Sequence, residues 1–271
     1  MSTRTGSGVS KNTDSRAAAA EAARQAQEPL DGLKPTFGIA FASPKHDLRT
    51  VLAEAEKAVP GAVWIGCTSA GEITERGLTR GGVSLMVAAS DEMTVRTASV
   101  QGVKANPRAA ARKLCAEFEA VAKECAMRGH RGSTTVALVD GLNGAGERLI
   151  SEILEATSPL QQVVGGAAGD DGAFEATYVG RNGDGAVDAA AVLHAFGKRP
   201  WGVGVDHGLR PKSDRMQVTK ADGNVVYEIE GRPAFEIYEQ HASRRRPAHP
   251  RERQHVHDRE RARPLLLRRD A

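Results

Sequence analysis

Residues 163–171 read VVGGAAGDD, a short apolar run, a block of glycine and alanine, and two carboxylates. Ninety-nine residues earlier stands VWIGCTSAGE (63–72), in which Gly66 takes the place of Gly165. Thr36 and Thr135, and Pro60 and Pro159, are separated by the same 99 residues, so three landmarks share one offset. A constant offset over this length points to internal duplication. In the first half, TFGIAFA (36–42) reads as a buried strand and DLRTVLAEAEKAV (47–59) as a helix with Leu48, Leu52, Ala55 and Val59 on one face. Pro60 and Gly61 end that helix before a second strand, AVWIG (62–66), and the small-residue loop CTSAGE. The second half repeats the plan with TTVALVD (134–140), ERLISEILEAT (147–157), a break at Pro159, QVVG (162–165) and GAAGDD. Apolar strands follow each half, VSLMVAAS (83–90) and AAAVLHAFG (189–197). The expected fold is α/β, with internally duplicated strand-helix-strand units forming mixed sheets flanked by helices.

Between the halves, NPRAAARKLCAEFEAVAKECAM (106–127) reads as one helix, capped by Asn106 and Pro107, with Leu114, Phe118, Val121 and Cys125 buried. After the second half come a strand-like WGVGVDHG (201–208), a hairpin over 216–229 and a helix over 231–241. Residues 1–33 are polar and then alanine-rich without an apolar stripe, so they read as a disordered tail whose helix at 16–28 has little to dock with.

With 271 residues, 40% hydrophobic and 26% charged, the chain can bury a sizeable core. It shows no 18-residue apolar run and no secretory leader, which reads as cytoplasmic with no membrane partner. Cys67, Cys115 and Cys125 form no CxxC or zinc spacing. The net charge of +3 is uneven: residues 243–271 carry ten arginines against four acids, a local +6, and leave −3 on the remainder. A slightly acidic body with 4% aromatics argues against specific nucleic-acid recognition. The arginine-rich end has the composition of a GC-rich gene read out of frame, or of a basic disordered tail.

Both glycine loops follow strands, where bare backbone amides can meet a ligand. Neither has GxGxxG or GxxxxGK[ST] spacing, and each carries its own acid, which disfavours phosphate. The loops read either as tight strand exits or as two sides of a cleft for a small polar ligand. In the second reading Glu72, Asp170 and Asp171 supply charge, Thr68 and Ser69 hydrogen bonds, and Gly165 and Gly166 close backbone approach. Cys67 reads as a nucleophile in need of a base or as a small buried hydrophobe. His194 falls mid-strand and reads as a core histidine, whereas His207, beside a glycine at a strand end, is the better functional candidate. No metal-ligand spacing is present.

VWIGCTSAGEI (63–73), VVGGAAGDD, TYVGRNGDGAVDAAAVLHAFG (177–197) and HGLRPKSDRMQVTKADGNVVYEIEGRPAFEIYEQ (207–240), in this order, resemble the FIST proteins, named for an intracellular bacterial sensory module. The resemblance assigns 34–195 to the N-terminal FIST domain and 196–242 to the beginning of the C-terminal one, with a departure near Ser243. It implies a non-catalytic sensor of small molecules such as amino acids. The signalling partner it implies is a histidine kinase, a chemoreceptor or a cyclic-dinucleotide enzyme, here acting in trans. A branch similar to haem-containing nitric-oxide sensors implies haem as the alternative, with His207 the first axial candidate and His46 and His194 after it.

Overall fold

A computed structural model describes residues 3–157, 161–206, 208–211 and 213–243. The chain divides into two units, Met1–Val203 and Gly204–Ala271.

The first unit holds two sheets. Strands β1 (Thr3–Ser10), β2 (Phe37–Ala42), β3 (Val63–Thr68), β6 (Val83–Ser90) and β10 (Val179–Arg181) form one, in the order β1-β6-β2-β3-β10. Strands β7 (Met93–Gln101), β8 (Gly132–Val139), β9 (Gln162–Ala167) and β11 (Ala189–Gly197) form the other, in the order β7-β11-β8-β9. Each sheet is mixed: β2 runs parallel to β3 and β8 parallel to β9, and the remaining pairs are antiparallel. Between β3 and β6, β4 (Glu72–Thr74) and β5 (Gly77–Thr79) make a small hairpin.

Helices cover the outer faces. Helices α1 (Ser15–Gln27) and α2 (Leu48–Ala58) pack on the first sheet, and α3 (Pro107–Leu114), α4 (Phe118–Met127) and α5 (Gly146–Thr157) on the second. Phe37, Ile39, Ile65 and Cys67 of the first sheet meet Val136, Leu138, Ala191 and Leu193 of the second in a core between the sheets. The result is helix, sheet, sheet, helix. Period-2 alternation sorts the strands: in β11, Ala189, Ala191, Leu193 and Ala195 face the other sheet, while Ala190, Val192 and Phe196 face the helices.

The duplication is wider than the sequence pattern showed. In both sheets the βαβ pair is followed by an antiparallel strand, β6 or β11, and beyond it lies the strand that begins the half, β1 or β7. Residues 3–30 are thus the opening strand and helix of the first half, and the expectation of a disordered tail is overturned. Ala18, Ala19, Ala22, Ala23 and Ala26 are fully buried against β1, β6 and α2, and Asp14 caps the helix by accepting from Ala17 N–H at 2.8 Å. The docking is close because Gly6 and Gly8 leave room: a Cβ on either would lie about 2 Å from the carbonyl oxygen of Ala26 or Ala22. Alanine packed on glycine needs no large apolar stripe, because close approach restores the dispersion contacts that bulk otherwise supplies.

Register also refines the repeat. Gly66 pairs with Ala40 and Gly165 with Ala137, so β3 and β9 keep the 99-residue offset while β2 and β8 are offset by 97. Thr36 therefore corresponds to Ser133 and not to Thr135. Pro159 lies outside the described residues.

The second unit contains β12 (Val218–Asp222), β13 (Val225–Ile229), β14 (Arg232–Pro233) and α6 (Ala234–Ser243). The expected hairpin forms, with Gly223 at φ +56° in its turn, where glycine has no Cβ penalty. Residues 201–206, expected as a strand, form no regular element. The arginine-rich stretch from 244 onward lies outside the described residues.

Candidate functional site

The two glycine loops leave their sheets in the same way. Ser69 N–H donates to the Ala42 carbonyl at 2.9 Å and Ala168 N–H to the Val139 carbonyl at 2.8 Å, at equivalent positions of the two halves. They then turn onto one another: Gly169 N–H donates to the Thr68 carbonyl at 3.0 Å and Asp171 N–H to the Ser69 carbonyl at 3.2 Å. A Cβ on Gly169 would stand 2.9 Å from Ala70 N, so the loops are in direct contact. The cleft expected between them is filled by their own backbones.

Their acids serve these turns. Glu72 is fully buried, and its carboxylate accepts from Ser69 Oγ–H at 2.7 Å and Gly82 N–H at 3.0 Å. Asp170, also buried, accepts from the amides of Phe174, Glu175 and Ala176 at 3.0, 2.7 and 3.3 Å. Asp171 is exposed, sits at φ +56° and accepts from Ser43 Oγ–H at 2.7 Å. Thr68 Oγ1 accepts from Tyr178 N–H at 3.0 Å and fastens β10 beside β3. Buried carboxylates take the nearest backbone donors, which here are local amides and not a shared ligand. Gly165 presses on the Ala137 carbonyl, which a Cβ would approach to 1.8 Å, while Gly166 faces open space on an edge strand. Cys67 lies in the core between the sheets, where burial pushes its thiol up to about 12. A thiol so shifted holds almost no thiolate near neutrality.

The structure gathers a different set of residues. The helix expected over 106–127 is broken after Leu114, although KLCAEFEAV contains neither glycine nor proline. In an unbroken helix the Leu114 carbonyl would accept from Phe118 N–H. Instead Phe118 N–H donates to the Cys115 carbonyl at 3.0 Å, and His194 Nε2–H donates to the Leu114 carbonyl at 3.1 Å. That bond fixes the tautomer: Nδ1 accepts from Thr135 Oγ1–H at 2.8 Å, and Thr135 Oγ1 in turn accepts from Gln161 Nε2–H at 2.9 Å. Burial holds the His194 imidazolium below its ordinary range, with the bond to Leu114 opposing the shift. The Phe118 ring meets the imidazole edge-on at 5.0 Å.

A cavity of about 410 Å³ opens at this break, lined within the first unit by β7, the residues joining α3 to α4, β10 and β11. Phe118, Phe196, Leu114 and Val121 supply apolar surface, and His194 is buried at 3% exposure. Arg96, Lys113, Glu117 and Arg181 supply charge. His194 is buried as its mid-strand position implies, whereas Arg96 and Arg181 fall in no binding motif of the sequence. The strand MTVRTASVQ (93–101), with Val95 buried beside an exposed Arg96, carried the signal in its alternation.

His207 lies outside the described residues. Of the other two haem candidates, His194 has both ring nitrogens engaged, whereas His46 is buried with Nδ1 3.2 Å from Ser15 Oγ and Nε2 without a hydrogen-bond partner among the described residues.

Residues 36–232 match the FIST N domain. The chain belongs to the FIST family. A comparison with curated proteins finds no match. FIST domains are associated with small-ligand sensing in signal transduction. The FIST match spans both duplicated halves from β2 onward and runs past the first unit into the hairpin of the second. No helix among the described residues is long and apolar enough to cross a membrane.

Proposed function

We propose that this FIST chain is a non-catalytic sensory domain that binds a small molecule in the cavity at the α3–α4 break and passes its occupancy to a signalling partner. One observation carries the reading: in a domain of a ligand-sensing family, a cavity of about 410 Å³ sits where a helix has been interrupted. Sites for small molecules range over roughly 300–1,000 Å³ and join apolar walls to a few polar groups. A ligand seated there touches Lys113 and Leu114 before the break and Glu117 and Phe118 after it, so its presence bears on how the two helices meet. The buried Cys67 thiol, with a pKa near 12, supports the non-catalytic reading over nucleophilic chemistry at that residue.

A thermal-shift screen of the full chain against amino acids and related small metabolites tests the proposal. A true ligand raises the melting temperature with concentration, reaching about 2.7 kcal/mol of stabilisation at a hundredfold excess over Kd. A folded protein that gives no concentration-dependent shift with any compound overturns the sensor reading.

A further inference from the structure

We infer that the cavity at the α3–α4 break selects a small, flat molecule bearing one carboxylate. The inference rests on the sensor reading and adds the ligand's chemistry to it.

Three cationic side chains, Arg96, Lys113 and Arg181, line the cavity against one carboxylate, Glu117. The two guanidiniums are brought to the same few residues of β7. Arg96 Nη1–H donates to the Val95 carbonyl at 3.0 Å, and Arg181, reaching across from β10, donates through Nη1–H to the Thr97 carbonyl at 2.9 Å. These bonds to neutral carbonyls orient each guanidinium without neutralising it. Among the described residues neither arginine is in an ion pair, and a guanidinium has five N–H donors, so most remain for a ligand. Three cations outnumber the single carboxylate Glu117 in this lining, and an anion placed among them offsets the excess charge.

The interior selects the rest of the molecule. The polar group buried deepest, His194, has both ring nitrogens committed to Thr135 and Leu114 and is held neutral. What remains is the pair of rings of Phe118 and Phe196, their centroids 5.2 Å apart and their planes tilted by 46°, with Leu114 and Val121 beside them. These side chains are buried and form the floor of the cavity, along which a flat body can lie and which a compact tetrahedral anion would not use. A carboxylate also matches the planar donor fork of arginine.

Benzoate is the direct probe, with benzamide as its neutral isostere and inorganic phosphate as the competing anion. On the full chain, benzoate raises the melting temperature and gives a calorimetric isotherm that weakens with added salt, while benzamide binds at least about tenfold more weakly. Arg96 is exposed, so Arg96→Gln leaves the ligand-free melting temperature unchanged and weakens benzoate about tenfold, the scale of one charge-assisted hydrogen bond. Lys113→Gln, also exposed, gives a second and independent loss. No benzoate binding up to about 10 mM overturns the inference. Equal binding of benzamide, preference for phosphate, or benzoate binding unchanged in both variants overturns it as well. The two proposals fail separately: a metabolite that stabilises the wild type and Arg96→Gln alike keeps the sensor and removes the carboxylate pocket, whereas silence across the whole screen removes both.

Discussion

Replacing Gly8 by alanine tests whether residues 3–30 belong to the fold. The new Cβ would lie 2.0 Å from the Ala22 carbonyl oxygen and 2.8 Å from Gln25 Cβ, where ordinary contact begins at 3.4 Å. The first neighbour is helix backbone, so α1 must withdraw, and the five buried alanines lose contact with β1 together. Alanine in a strand otherwise gains about 0.5–1 kcal/mol over glycine. Forced overpacking costs about 1–3 kcal/mol and more when backbone must move. The second effect wins, and a net loss of about 2 kcal/mol lowers the melting temperature by about 4–8 °C in a unit of this size. Thermal denaturation followed by far-ultraviolet circular dichroism measures it, with Gly166→Ala as the control, since nothing lies within 4 Å of a Cβ there. The control should melt with the wild type or slightly above it, since alanine in a strand gains over glycine where nothing opposes its Cβ. A Gly8→Ala protein that also melts with the wild type, or above it, refutes the docking of α1 on β1.

Two further outcomes follow from the site geometry. Asp170→Ala removes the acceptor of three backbone amides and should cost about 2 kcal/mol, read as a lower denaturation midpoint, without changing ligand affinity; unchanged stability with lost affinity would return Asp170 to the ligand site. His194 is held neutral by the fold, so its contribution is complete above the unfolded value near 6.5 and is lost as pH falls below it. Between pH 7.5 and 5.5 the wild type should therefore lose more melting temperature than His194→Gln, and equal losses would contradict a buried neutral imidazole.

Elements with a local signature were readable in advance. β6 and β11 occur at the expected residues, and α2 begins after Asp47, whose side chain accepts from Thr50 N–H as an N-cap should. Elements whose stability comes from elsewhere were not. Alanines of α1 carry too little apolar surface to announce a buried face, and only the glycines of β1, unremarkable in a polar segment, make that face viable. The paired acids looked like a site because two similar loops each carried one. Whether a carboxylate faces a ligand or the protein's own chain depends on which donors lie nearest in space: for Glu72 these are the Ser69 hydroxyl and the Gly82 amide beyond the β4–β5 hairpin, and for Asp170 the amides of residues 174–176.

The sequence by itself determined the strand-helix-strand repeat, the mixed α/β class and the resemblance to the FIST family, because hydrophobic period, caps and chain-breaking residues are written locally. Tertiary structure alone decided where the helix after Asn106 stops. KLCAEFEAV contains no glycine or proline; the Leu114 carbonyl that the break leaves free is bonded by a histidine 80 residues away, and the cavity lies beside that bond.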